Sequence, residues 1–272
     1  MRHATLALVA ALACSFAGAG RAQDTSPTSG TLPAVSGLNG KFSLETGVEG
    51  ESGQSAAAGI ASGSITMPLG HAFGLQFDAN AMTSEGSFGG GGTAHLFWRD
   101  PAIGLFGPVA TVEGSGKGHV GLYGVEGEFY AGLVTLGANA GYIDSAALAA
   151  AGAPSGGFYT GHLTAYPVPD LALTAGLRSM VGHLAATGGL EVQPTFGRQH
   201  NVSFFVDAEA GAQSSYAVLA GVRIYFGADK TLIRRHREDD PEYNLDWGYT
   251  LEQLDQLTQH TGCVDLYCNN WW

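Results

Sequence analysis

The sequence predicts an all-β fold, a transmembrane up-and-down antiparallel β-barrel of about twelve strands with a short C-terminal periplasmic tail. Three observations carry this. From about residue 37 to 227 the chain alternates apolar with small or polar residues, the period of a strand that shows its two faces to different surroundings. Only 13% of residues are charged, against a usual ~25%, and 42 of 272 are glycine, roughly twice the usual share. No run of 18 or more apolar residues occurs beyond the N-terminus, which excludes membrane-spanning helices. With 45% hydrophobic residues the chain is not of the kind that stays disordered, and its glycines lack the three-residue period of collagen.

Residues 1–22 read as a signal peptide. Arg2 and His3 precede the apolar stretch Ala4–Ala13, which is too short to span a bilayer, and small-residue cleavage sites follow at Ala17-Gly18-Ala19 and Gly20-Arg21-Ala22. Lipid anchoring at Cys14 is disfavoured, because Ala11 stands three residues before it where such signals carry Leu. Removal of this segment takes Lys and Arg from 12 to 10 and leaves 24 Asp and Glu, a net charge of −14 that argues against nucleic acid as a partner. Residues 23–36 are rich in Ser, Thr and Pro and read as a flexible periplasmic linker.

The strands follow in order. Phe42, Leu44, Thr46 and Val48 share one face against Lys41, Ser43, Glu45 and Glu49. Phe73, Leu75, Phe77, Ala79 and Ala81 oppose Gly74, Gln76, Asp78 and Asn80. Val202, Phe204, Val206 and Ala208 oppose Ser203, Asp207 and Glu209, and Val218 to Phe226 repeat the pattern. Such runs place strands near 38–48, 56–67, 71–82, 92–99, 103–113, 119–130, 133–143, 158–166, 171–179, 184–193, 201–209 and 216–226. Poor alternation over 103–113 keeps counts of ten or fourteen open. Short turns such as Pro68-Leu-Gly70 and Asp100-Pro101 alternate with longer segments, Thr83–Gly92 and Ser145–Gly157, as periplasmic turns alternate with outer loops in such barrels. Aromatics gather at strand ends: Phe73, Trp98, Phe106, Tyr130, Tyr166, Phe196 and Phe226 at one rim, and Tyr142, Phe158, Tyr159 and Tyr216 at the other. A soluble β-sandwich would need a charged outer face, which these strands lack.

Residues 228–272 form the tail. Lys230, Arg234, Arg235 and Arg237 are followed by Glu238, Asp239 and Asp240, a cluster that cannot cross lipid, so the barrel ends near Phe226. Thr250-Leu-Glu-Gln253 is a capping box that opens a short helix. Cys263 and Cys268 form an even pair in an oxidising compartment, a disulfide candidate.

The runs FGLQFDANAM (73–82), AHLFWRDPAIGLFG (94–107), YGVEGEFYAG (123–132) and GVRIYFGADKTLIRRHREDDP (221–241) resemble a family of uncharacterised Gram-negative outer-membrane β-barrel proteins of the porin-like type. The resemblance covers most of residues 70–241 and implies the fold and an outer-membrane location. It carries no settled activity, so no site residue transfers from it.

Chemistry is sparse. Gly116-x-Gly118-x-x-Gly121 has no following helix to hold a phosphate, and neither a Gly-x-Ser-x-Gly elbow nor a His-Glu-x-x-His motif occurs. The nine His have no pair closer than 17 residues, and no metal or cofactor is expected. Parity turns Glu45, Asp78, Glu126, Glu128, Glu191, Asp207 and Glu209 inward, against Lys41, Arg99, Arg178 and Arg223. Two readings follow: an open, acidic, cation-favouring pore, or an interior closed by pairing of Arg178 and Arg223 with Glu191 and Asp207. The expected function is passive diffusion of ions or small polar solutes, and the expectation is not an enzyme. The alternatives are a closed structural or surface-recognition barrel, and a barrel enzyme on lipid or peptide built around Asp207 and Glu209. Lys230, Arg234, Arg235 and Arg237 are either a solvated, self-neutralising stretch or a contact to anionic lipid or cell-wall polymer. Outer-membrane lipid is the expected partner, with peptidoglycan or a periplasmic protein through the tail. Monomer is the default, since trimeric porins have more strands.

Overall fold

A computed structural model describes residues 32–51, 53–84, 87–115, 118–144, 155–196, 200–211, 214–239 and 241. The expectations for the signal peptide, the capping box at 250–253 and the Cys263–Cys268 pair lie outside the described residues.

Twelve strands close into one barrel: β1 (Asn39–Glu51), β2 (Gln54–Leu69), β3 (Phe73–Ser84), β4 (Ser87–Asp100), β5 (Gly104–Ser115), β6 (Gly118–Ala131), β7 (Val134–Asp144), β8 (Gly156–Val168), β9 (Leu171–Met180), β10 (His183–Val192), β11 (Val202–Gly211) and β12 (Tyr216–Phe226). Each pairs antiparallel with its neighbours in sequence, and β1 meets β12 from Gly40↔Phe226 to Gly50↔Tyr216, so no edge is left unpaired. Every strand has 10 to 16 residues, enough to cross a hydrocarbon layer at a barrel's tilt. Outward positions carry exposed apolar side chains, among them Phe42, Leu44, Phe77, Leu96, Val125, Leu163, Leu177 and Val222, as a lipid-facing surface requires. The barrel therefore has a terminus end, where its chain enters and leaves, and an opposite loop end.

Two connections differ from expectation. The segment Thr83–Gly92 is not a long loop: β3 and β4 pair through it, from Ala79↔Gly92 to Ser84↔Ser87. Four consecutive glycines show no side-chain alternation, yet their backbones complete the ladder. The longest connection at the terminus end, 193–201, is comparable to the loop-end segment 145–155, so loop length does not separate the two ends cleanly. β5 alternates regularly in burial, which removes the ambiguity in strand count, although its ladder to β4 skips Gly107 and Pro108. Pro108 has no N–H to donate there.

Many glycines face the interior, where they make room for large inward side chains of adjacent strands. A Cβ on Gly137 would lie 2.1 Å from the His162 ring, and one on Gly141 would lie 2.6 Å from the Phe158 ring. The high glycine content thus belongs to the lumen as much as to turns.

Candidate functional site: the lumen and its terminus-end mouth

The interior divides into a packed side and a side with space. On the packed side, His95 (β4) bridges two carboxylates, with Nε2 2.8 Å from Asp78 (β3) and Nδ1 2.9 Å from Glu126 (β6). Gln76 donates to Asp78 at 2.9 Å and accepts from Thr66 at 2.8 Å, and Asn80 donates to Glu113 at 2.8 Å. His95 and Glu126 are almost fully buried. A carboxylate on each ring nitrogen is an arrangement that suits an imidazolium, and it ties three strands of this wall together across the lumen. Towards the loop end the packing turns apolar, with Ala58, Ile60, Met82, Ala217 and Leu219 in one cluster and Leu122, Ile143, Phe158 and Met180 also buried.

The other side is built from β8 to β12. Arg223 donates to Glu191 at 2.5 Å and to the Ser43 hydroxyl at 3.0 Å, with its guanidinium 4.5 Å from the Phe205 ring centre. Glu191 also accepts from the Tyr225 hydroxyl at 2.7 Å and from Ser203. Arg178 pairs with Glu209 one step further towards the loop end. These two pairs and Asp207 border a cavity of about 170 Å³ floored by His236. The expected cross-lumen pairing is therefore present with a different assignment: Arg178 takes Glu209, while Asp207 acts electrostatically on Arg223. Glu128 is half-buried and accepts from the Tyr130 hydroxyl at 2.7 Å.

Helix α1 (Leu232–Glu238) occupies the terminus-end mouth. Arg235, His236 and Arg237 in its last turn complement the helix dipole, and Arg234 pairs with Glu238 at 2.8 Å across one turn. Thr231 makes no side-chain cap. Asp170 of the β8–β9 turn supplies one instead, accepting from the Leu232 N–H at 3.1 Å. Leu232 and Ile233 pack with Tyr166, Ala172 and Tyr225. His236 lies 2.9 Å from the Tyr166 hydroxyl and 3.8 Å from Glu191, which links the helix to the charged wall.

Three groups of residues take places at this mouth that the sequence does not announce. Lys230 and Arg235 are buried and turned into the mouth: Lys230 lies 2.6 Å from Asp239 and 3.0 Å from Glu238, and Arg235 donates to the His200 carbonyl. Arg237 donates to the carbonyls of Gly132 and Val134 at 2.8 and 2.9 Å, so of the four basic residues only Arg234 is half exposed. The run pairs with its own acidic neighbours Glu238 and Asp239 and folds inward at Lys230 and Arg235. The end of the expected linker is likewise seated: Ala34 and Val35 are buried, with Val35 against Phe97 and Leu105. Tyr130 and Tyr166 do not belong to a lipid girdle. They sit on the inward parity of β6 and β8 and surround Arg237, 5.0 and 5.6 Å from its guanidinium. Phe158 also points inward. Phe73, Trp98, Phe106, Phe196 and Phe226 do face outward at the terminus end.

Arg99, inward by parity, lies at this mouth. His236 and Tyr225 were missed, although the parity of β12 marks Tyr225 as inward. Among the described residues no group of three potential metal ligands converges.

No known protein family and no curated protein matches the chain. Among solved structures it is similar to the KdgM porin, with a TM-score of 0.51, 12% identity, and coverage of 67% of this chain and 98% of that one. The translocator domain of autotransporter NalP from Neisseria meningitidis follows at a TM-score of 0.45 and 14% identity, covering 75% of this chain and 90% of that one. Outer membrane phospholipase A from Escherichia coli has a TM-score of 0.45 and 12% identity, covering 73% and 98%. At such identities the likeness is one of architecture: the chain has the closed, twelve-stranded fold of outer-membrane β-barrel proteins.

Proposed function

We propose that the chain is a porin-like barrel of the Gram-negative outer membrane that passes small cations or small polar solutes along its β8–β12 wall, with the terminus end in the periplasm. The observation that carries this reading is the cavity beside Arg178, Glu191, Asp207, Glu209 and Arg223, an unfilled space within the lumen. Its sign follows from the lining: three carboxylates face two guanidinium groups, and the whole lumen is more acidic than basic. We assign Asp207 and Glu209 no catalytic role, because Glu209 is engaged by Arg178 and Asp207 lies in the field of Arg223.

Planar-bilayer recording in a salt gradient tests the reading. The reversal potential is expected to shift in the cation direction. Asp207→Asn with Glu209→Gln should weaken or reverse it, since loss of Glu209 also leaves the Arg178 charge uncompensated. Conducting events without cation preference overturn the selectivity. A second reading, a closed structural or surface-recognition barrel, is favoured by the His95 cluster and the occupied mouth, and it predicts silence in every ionic condition.

A further inference from the structure

Residues 34–36 and 230–239 flank the barrel in sequence, and in the fold they are fastened to one another. The Ser36 N–H donates to the Glu238 carbonyl at 3.0 Å, and the Ser36 hydroxyl donates to Asp239 at 2.6 Å. Lys230 joins both segments: its ammonium donates to the Ser36 hydroxyl at 2.7 Å and to Asp239 at 2.6 Å, and lies 3.0 Å from Glu238. One wall residue then holds the assembly. Arg99 of β4 donates from the same nitrogen to the carbonyls of Ala34 and Asp239, at 3.3 and 3.1 Å.

We propose that these two segments form a single releasable latch over the terminus-end mouth, pinned internally by Lys230 and anchored to the wall by Arg99. The proposal rests on the conduit reading above, since it makes the latch the element that closes the conduit. Three features mark a latch rather than a fixed part of the wall. The ladder is complete without it, because β1 pairs with β12 over its full length and no latch residue takes part in a strand pair. The polar attachments to the wall are made to turns and strand ends, among them Ala34 N–H to the His71 carbonyl at 2.7 Å, Ile233 N–H to the Pro169 carbonyl at 3.0 Å and Arg237 to Gly132 at 2.8 Å, beside the packing of Val35, Leu232 and Ile233 and the contact of His236 with Tyr166. The strong charge pairing is internal, Lys230 with Glu238 and Asp239, whereas Arg99 holds the latch through neutral carbonyls and not through a carboxylate. Lys230, Glu238 and Asp239 leave the wall together with their own pairing intact, while release breaks the 3.8 Å approach of His236 to Glu191. Its departure also removes His236 from the floor of the cavity, which joins the cavity to the periplasmic side.

The test uses the full chain with its native cysteines replaced by serine. A locked form carries Arg237→Cys and Thr135→Cys, joined by a short reducible thiol crosslinker that fastens the latch to β7 of the wall. A released form carries Arg99→Ala and Lys230→Met. In separate preparations of the released form and its parent, reaction of an added Val35→Cys thiol with a maleimide reports the latch position, because Val35 is only 1% exposed when seated. Release is expected to raise the labelling rate at least tenfold and to increase open-channel time. Crosslinking should silence the barrel, and reduction should restore the parent's activity. A crosslinked barrel that conducts like its reduced form overturns the latch. A released form labelled no faster than the parent overturns the roles of Lys230 and Arg99. A freely labelled but silent released form overturns the conduit reading instead. Should the released form fail to insert, the locked pair decides, since it keeps both Arg99 and Lys230.

Discussion

Glu191 is the residue at which the interior is most exposed to a single change. Its carboxylate takes the Arg223 guanidinium at 2.5 Å, the Tyr225 hydroxyl at 2.7 Å and the Ser203 hydroxyl, and only 9% of its side chain and 12% of Arg223 meet solvent. Glu191→Gln keeps the shape and an oxygen for Tyr225 and Ser203, but leaves Arg223 without its closest anion. Removing one partner of a buried pair costs about 3–5 kcal/mol. The lower end applies here, because Asp207 still acts on Arg223. About 3 kcal/mol is roughly a hundredfold in the folding equilibrium. Urea unfolding of the barrel in lipid vesicles, followed by tryptophan fluorescence and extrapolated linearly, measures it. The double variant Glu191→Gln with Arg223→Met should recover to within ~1 kcal/mol of the parent, since the stranded charge is then gone. A single variant that loses less than ~1 kcal/mol, or a double variant that loses as much as the two singles together, would refute the view that this pair is a buried, mutually dependent unit.

Other outcomes follow from the same geometry. Gly107→Ala should destabilise by about 1–3 kcal/mol, because its Cβ would meet backbone that cannot swing aside: the Leu96 oxygen at 2.0 Å and the Phe97 Cα at 2.6 Å. Gly63→Ala, with its nearest atom at 3.6 Å on the lipid face, should be close to neutral in the same unfolding assay. Pro108→Val restores a donor to the β4–β5 ladder and should stabilise by about 0.5–1.5 kcal/mol. Burial alone would raise the Glu238 carboxyl, yet hydrogen bonds from Arg234 and the Lys230 charge hold it below its ordinary range. Its contribution is then present above the unfolded value of ~4.3 and is lost as pH falls through the lower folded value. The Val35→Cys labelling rate, divided by that of a free thiol at the same pH, should therefore stay flat between about pH 5 and 8 and rise only below ~4.

The strands were legible because each strand meets two environments, and a period of two records that directly. Boundaries were less so where side chains vanish: Gly89–Gly92 carry no pattern, and only their pairing with Met82 to Ala79 shows a strand. Position along the chain put Tyr130 and Tyr166 at a rim, but parity would have put them inside, and parity was right. The inward charges were legible as a set and their partners were not. Arg178 and Glu209 stand on strands two apart, and which carboxylate reaches which guanidinium depends on the stagger between strands. The occupied mouth was hidden for another reason. A run such as Lys230–Asp239 reads as solvated, and it is buried here only because its charges meet each other and because turn carbonyls and Arg99 lie within reach.

The placing of the two flanking segments has a consequence in time. Ala34 precedes the first strand and Asp239 follows the last, and Arg99 binds the carbonyls of both. Neither can find the other until β1 has met β12, which joins positions as far apart as Gly40 and Phe226. During assembly the cylinder must therefore exist, for however short an interval, with its lower aperture unfilled. Filling that aperture follows closure of the barrel, because it needs residues 34–36 and 230–239 together at the same end.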